Sequence, residues 1–176
     1  MHHLGKKEFY DDVAGKVEQF KKDGYVVYYE LLGTSFNADS TERDVIRRKG
    51  RKIKGFSGGY KDASENRGMF KKYVEQPSYK DMGTDSNDVR ADIDYKILIN
   101  EYEKKYGKII LDSIDLNTGF DAEYDRKQIT DKSQYEYIII DYRNDFLVHT
   151  IKNSTDRKIL VLYGEGHRKN FEGKIK

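Results

Sequence analysis

The feature that most constrains the fold is an apolar run that ends in two glycines and a histidine. Residues 158–163 read Lys-Ile-Leu-Val-Leu-Tyr, which is typical of a buried β-strand, and Gly164–His167 (Gly-Glu-Gly-His) follows directly. In α/β proteins, ligands bind just past the carboxyl ends of the sheet strands. The glycines allow a sharp turn there and leave room beside the imidazole. We therefore expect His167 to lie at a ligand-binding edge of a sheet.

A second histidine stands close to a glycine at the other end of the sequence, in Met1–Gly5 (Met-His-His-Leu-Gly). Two such histidines suggest one shared site that contains His3 and His167. The alternative interpretation is that His2 and His3 are the remnant of an affinity tag.

The composition predicts a folded domain with a heavily charged surface. Hydrophobic residues make up 36% of the 176 residues, and fifteen tyrosines and eight phenylalanines add the apolar area that a core needs. The 33 basic and 31 acidic residues are interspersed, so nucleic acid and anionic membranes are not expected partners. No apolar run approaches the length of a membrane span, and the absence of cysteine excludes disulfides and thiolate metal sites.

Hydrophobic periodicity predicts alternating helices and strands. The 6–22 segment has its apolar residues on one helical face, Gly24 ends it, and the strand-like run 25–32 follows. This order is the return half of a crossover unit, which indicates parallel pairing. Further helices are predicted over 41–49, 92–106 and 133–152, and a further strand over 108–112. We predict an α/β (or α+β) fold, a single domain over 1–176 with a mixed, partly parallel central sheet flanked by helices.

Glu30 is a carboxylate near the carboxyl end of the predicted 25–32 strand, where a buried charge needs a partner. Imidazole and carboxylate ligands suit zinc, manganese or cobalt ions. An ion held by His3, Glu30 and His167 would polarise a carbonyl and lower the pKa of a bound water. Alternatively, Glu30 is the general base beside a more weakly held ion.

The predicted 133–152 helix carries other candidates. Arg143 precedes the final strand and could bind a substrate carboxylate, or form an ion pair with Asp145 or another helix carboxylate. His149 stands among apolar residues and is interpreted as a packing histidine. Gln76, before the only proline, could donate its amide into a site. Asp92 is interpreted as a helix cap.

The 50–59 stretch is basic and rich in glycine. It could contact phosphate or nucleic acid, but it lacks the P-loop and dinucleotide spacings, which favours a solvated loop. A domain that binds polyanions through 47–54 is the weakest functional alternative.

The order of these segments resembles the TraB/PrgY/GumN superfamily, which includes the Tiki metalloproteases. The similar segments run through nearly the whole chain, and those at its two ends are the specific ones. They are Met1–Gly5 with 8–11 and Gly24–Glu30 at the start, Gln76-Pro77 and Ala91-Asp92 in the middle, and Arg143-Asn144 and 159–167 at the close.

The resemblance implies a divalent-metal peptidase site, since Tiki-like members are thought to build one from paired Gly-x-x-His motifs and a glutamate. It makes Gly164 and His167 the second motif, His3 the histidine of the first, and Glu30 the acid. It also implies a first strand upstream of His3, which this sequence lacks, and an extracytoplasmic location through a removed signal or anchor. The candidate catalytic residues are Glu30 and Arg143; the candidate substrate-binding residues are Gln76, Arg143, Asn144 and Gly164.

The first functional hypothesis is a hydrolase that depends on a divalent ion (Mn, Co or Zn) and acts on a peptide or related amide. The alternative is a non-catalytic module of the same fold that binds or sequesters peptides. The expected partner is a peptide or small-molecule substrate, and a homodimer is left open.

Overall fold

The structure, a computed structural model, describes residues 1–33, 39–55, 72–124 and 126–176. They form two compact units that alternate along the chain. The first unit contains Met1–Glu30, residues 72–91 and Val148–Lys176. The second contains residues 31–33 and 39–55, together with the described residues of Asp92–Leu147.

Helices and short strands alternate along both units. The strands are β1 (Leu4–Lys6), β2 (Val26–Tyr29), β3 (Tyr73–Glu75), β4 (Val89–Arg90) and β5 (Ile159–Leu162). The helices are α1 (Lys7–Lys22), α2 (Ser40–Lys54), α3 (Tyr95–Tyr106), α4 (Ser113–Asn117), α5 (Lys132–Tyr135), α6 (Tyr142–Lys152) and α7 (Glu165–Ile175), with a π-helical segment, Glu136–Asp141, between α5 and α6.

The first unit contains a parallel sheet of three strands in the order β4-β2-β5. Tyr28 in β2 pairs with Val89 on one side and with Val161 on the other. Parallel strands end at the same edge, so the residues after β2, β4 and β5 share one edge of the sheet. The mixed α/β class with a partly parallel sheet is thereby confirmed. A separate antiparallel pair joins β1 to β3.

The core of the first unit forms where α1 meets the sheet. Val17 of α1 is buried together with Val27 of β2 and Leu162 of β5. The helix ends as its pattern predicts, because Gly24 adopts a φ of 82°, which glycine tolerates better than any other residue. The strand predicted over 25–32 forms at Val26–Tyr29.

The second unit is mainly helical. Its core joins apolar side chains from α2, α3 and the π-helical segment. Helix α2 begins where the Asp39 side chain accepts the N–H of Glu42 at 2.8 Å, and it ends at Gly55 with a φ of 77°. It therefore extends beyond the predicted 41–49, and residues 56–59 of the glycine-rich stretch lie outside the described residues.

Three sequence predictions need correction. The predicted strand at 108–112 does not form, because side chains take its backbone groups: Glu103 accepts the N–H of Ile109, and Lys52 donates to the carbonyl of Ile110. The predicted 133–152 helix is interrupted by the π-helical segment. His149 is exposed on α6 and does not pack into a core.

No helix within the described ranges is both long enough and apolar enough to cross a bilayer.

Candidate functional site

Glu30 and Gly164 meet at the carboxyl edge of the parallel sheet. Glu30 extends the ladder beyond β2 by donating its N–H to the carbonyl of Leu162 at 3.1 Å. Its Oε2 accepts the main-chain N–H of Gly164 at 2.6 Å. Gly164 is the N-cap residue of α7, so the carboxylate lies at the positive end of that helix dipole. The helix start therefore holds the Glu30 carboxylate in place.

His167 completes the site from the first turn of α7. Its Nε2 lies 3.5 Å from Oε1 of Glu30, and the two side chains are 5% and 12% exposed. The His167 N–H donates to the carbonyl of Gly164 at 3.0 Å, which fixes the turn that carries the imidazole. The structure thus brings together three of the predicted site residues: Glu30, Gly164 and His167.

A glycine at position 164 favours this close approach. A Cβ atom there would lie 3.0 Å from Oε2 of Glu30. The φ of Gly164 is −57°, which any residue adopts, so backbone strain is not the reason. The missing side chain leaves room for the carboxylate.

Tyr163 supports the imidazole and was not among the predicted site residues. Its ring stands edge to face with the His167 ring, with the centroids 5.3 Å apart. Its hydroxyl donates to the main-chain oxygen of Ala91, just past β4. In the sequence, only its position indicates this role, because Tyr163 closes the apolar run and stands four residues before His167.

Met1 also lies beside this edge. Its amino group donates to the carbonyl of Tyr163 at 2.5 Å, and its own carbonyl accepts the N–H of Glu165 at 3.0 Å. This is the bonding pattern of parallel strand pairing. Burial lowers the pKa of the Met1 amino group, while the carboxylates of Glu30 and Glu165 oppose that shift.

His3 and Gln76 form a backbone pair in the first unit. The main-chain oxygen of His3 accepts the N–H of Gln76 at 2.9 Å, which extends the β1–β3 pairing by one residue, and His3 is exposed. Over the described ranges, no three His, Cys, Asp or Glu side chains are grouped so that they could hold one ion. Two of the three predicted ligands, Glu30 and His167, lie together, and the role of His3 as the third stays a prediction.

Arg143 is held in the second unit by Asp92. Its Nε donates to Oδ1 at 3.0 Å and its Nη2 to Oδ2 at 2.6 Å, with both residues buried. The neighbouring Asn144 is fully buried. Of the two interpretations of Arg143, an ion pair is observed, and its partner is the Asp92 carboxylate. The substrate-binding roles of Arg143 and Asn144 stay predictions.

Several basic residues of α2 turn inward. Arg48 and Arg51 donate to the main-chain oxygen of Asp115, and Lys52 pairs with the buried Asp115 carboxylate. These contacts join α2 to α4 within the second unit. They do not favour the polyanion interpretation, which needs those cations at the surface.

Comparison with protein-family models, curated proteins and solved structures finds no match to this chain. The resemblance to the TraB/PrgY/GumN superfamily therefore stays a prediction.

Proposed function

We propose that this chain is a divalent-metal-dependent hydrolase of a peptide or related amide, with Glu30 and His167 at its reaction centre. The observation that carries the proposal is the contact of 3.5 Å between Oε1 of Glu30 and Nε2 of His167. It lies past the carboxyl ends of two parallel strands, where α/β folds bind ligands.

The spacing of the two side chains suits a shared ion. Zinc binds imidazole nitrogen and carboxylate oxygen at about 2.1 Å, so two ligands of one tetrahedral ion lie about 3.4 Å apart. The observed 3.5 Å agrees with that distance. We propose Glu30 and His167 as ligands and His3 as the third, and zinc, manganese or cobalt as the ion.

Each residue of the site has a separate role in this proposal. The Gly164 N–H holds one carboxylate oxygen of Glu30, so that the other oxygen faces His167. The Tyr163 ring limits the rotation of the imidazole. In the alternative arrangement, Glu30 is not a ligand but the general base that accepts a proton from an attacking water beside a more weakly held ion. When bound, the ion polarises the substrate carbonyl and lowers the pKa of that water.

Calorimetric titration of metal-free protein with Zn²⁺, Mn²⁺ and Co²⁺ tests the metal site. We expect about one ion per chain, at least tenfold weaker binding in His167→Ala, and weaker binding in His3→Ala. His149→Ala is the matched control, because His149 is exposed on α6, outside the site. Unchanged affinity in His167→Ala would contradict the metal site.

Peptide cleavage tests the reaction. We expect metal-loaded protein to cleave members of a peptide library, read out by mass spectrometry, and Glu30→Gln to be slower by about 10²-fold or more. Metal binding without cleavage of any peptide would contradict the hydrolase function and would still support the metal site.

A non-catalytic peptide-binding module is the second candidate. The observation that favours it is that both oxygens of Glu30 already contact the protein and that both side chains are largely buried. In a module of this kind, the contact between Glu30 and His167 stabilises the fold and takes no part in a reaction. Peptide retention that is unchanged by a chelator and by Glu30→Gln would support this candidate over the hydrolase.

A further inference from the structure

We propose that the second unit contains a binding site for an organic ammonium ion, formed by Tyr106, Tyr137, Tyr142 and Glu101. The site is independent of Glu30 and His167. Four observations carry the proposal: the arrangement of the rings, the π-helical segment that produces it, a carboxylate beside it, and a cation already seated on it.

The three rings form two neighbouring pairs. Tyr106 and Tyr137 stand edge to face at 82°, with centroids 6.3 Å apart. Tyr137 and Tyr142 are inclined at 39°, also with centroids 6.3 Å apart. The buried Tyr102 packs against Tyr106 at 5.2 Å and supports it from the core. Tyr106, Tyr137 and Tyr142 are half-buried, so part of each remains accessible to solvent.

The π-helical segment aligns Tyr137 with Tyr142. Residues five apart point in different directions on an α-helix, but they are stacked one turn apart in a π-helix. The N–H of Tyr142 donates to the carbonyl of Tyr137, which is the i to i+5 bond of that geometry. Such turns occur frequently at functional sites. This interruption of the helix therefore creates a paired aromatic surface.

Glu101 adds a negative charge to the surface. Its carboxylate accepts the Tyr137 hydroxyl at 2.8 Å. This hydrogen bond, together with burial, raises the pKa of Tyr137 to about 12, so the phenol stays neutral at physiological pH. The ring face and the carboxylate then both attract a cation.

The Lys105 ammonium already occupies this surface. Its Nζ lies 3.3 Å from the Tyr137 centroid and 5.6 Å from the Tyr106 centroid. Among the described residues, no ion pair or hydrogen bond of this ammonium is found, so the aromatic rings are its main contacts. Lys105 is itself exposed, so a ligand can displace it without opening the core.

The chemistry of the surface selects a weakly hydrated cation. Ring faces attract ammonium groups electrostatically, and aromatic sites are the common means of recognising methylated ammonium groups. A small metal ion would lose more hydration energy on binding than its contacts with one carboxylate and three rings would supply. The ligand class is therefore a methylated ammonium ion, either free or on the side chain of a methylated lysine.

The experiment titrates tetramethylammonium chloride into protein labelled at the tyrosine rings and follows the ring signals by NMR, with sodium chloride as the ionic control. We expect saturable shifts, and affinity at least fivefold higher in Lys105→Ala, because the resident cation is removed. Lys105→Gln serves as a second variant that also removes the charge. Circular dichroism verifies that each variant is folded.

Ring removal provides the matched comparison. Tyr137→Leu and Tyr142→Leu should each lose binding at least fivefold, whereas Tyr25→Leu should not. Tyr25 is the control because Lys158 lies 5.7 Å from its ring in the first unit. Choline and a trimethyllysine peptide, compared with the unmethylated peptide, distinguish a small-molecule ligand from a protein ligand. Absence of saturable shifts in folded Lys105→Ala and Lys105→Gln, or equal binding in Tyr137→Leu, would overturn the proposal.

Discussion

The main-chain N–H of Gly164 donates to the Glu30 carboxylate across 2.6 Å, although 134 residues separate the two positions. Parallel pairing of β2 with β5 makes this possible, because it places Glu30 directly beside the end of β5. The contact joins the end of one strand to the first turn of the helix that carries His167. The position of the imidazole therefore depends on a glutamate from the other end of the sequence.

Gly164→Ala should destabilise the first unit. The added Cβ would lie 3.0 Å from Oε2 of Glu30, so the carboxylate must shift by a few tenths of an ångström and its hydrogen bond to the Gly164 N–H is strained. We expect the free energy of unfolding to fall by about 1–2 kcal/mol in urea titration. Gly15→Ala is the matched control: it lies inside α1 with nothing within 4 Å of its Cβ, and it should gain about 0.5–1 kcal/mol. Equal stability of Gly164→Ala and wild type would show that the carboxylate moves at no cost.

The Asp92–Arg143 pair should contribute strongly to the stability of the second unit. Both side chains are nearly inaccessible, at 0% and 4% exposure, and two hydrogen bonds join them. Arg143→Met would leave the Asp92 carboxylate buried without its cation, which costs about 3–5 kcal/mol. Lys96→Met breaks the exposed pair with Glu42 and should change the stability by less than about 1 kcal/mol. Thermal and urea unfolding of both variants would measure the difference, and similar values would contradict the prediction.

Local patterns were sufficient to predict much of the first unit. Helix α1 and strands β2 and β5 followed from periodicity and from the glycine after the helix, because the same apolar faces form the core. The rule that ligand sites lie past parallel strands also selected Glu30 and His167, which are in contact.

Long-range partners could not be predicted in the same way. Residues 108–112 have the composition of a strand, but a glutamate and a lysine from elsewhere in the unit bind their backbone groups. Asp92 stands where a helix cap is expected, yet its partner is 51 residues away. The π-helical segment has no sequence signal comparable to a proline or glycine. These features depend on three-dimensional contacts that spacing alone does not reveal.

Tyr124→Phe should destabilise the second unit through the loss of one hydrogen bond. The Tyr124 hydroxyl donates at 2.5 Å to Asp115, whose side chain is completely buried. Burial and this bond raise the pKa of Tyr124 to about 12. Because the acceptor is charged, we expect a loss of about 1.5–3 kcal/mol in urea titration. Tyr25→Phe is the control, since no hydrogen bond from its hydroxyl is found among the described residues, and it should be near neutral.

Glu103 should make the stability of the second unit sensitive to acid. Burial alone would raise its pKa, but the Lys49 ammonium, the Ile109 N–H and the Lys108 ammonium outweigh burial and lower the pKa from 4.5 to about 2. Because the folded-state pKa is the lower one, the stabilisation is complete above about pH 4.5 and is lost as the pH falls towards 2. Its side chain is 7% exposed, and we expect a contribution of about 3 kcal/mol.

Urea titrations of wild type and Glu103→Gln between pH 2 and 7 would measure this contribution. Glu103→Gln should be less stable than wild type at pH 7, because the amide lacks the charge that the two lysines bind. The gap should narrow as the pH approaches 2, because the wild-type carboxyl becomes protonated in that range. Glu8→Gln, at an exposed position of α1, should follow the wild-type curve. A gap that stays constant over the whole range would show that Glu103 acts through its shape and not through its charge.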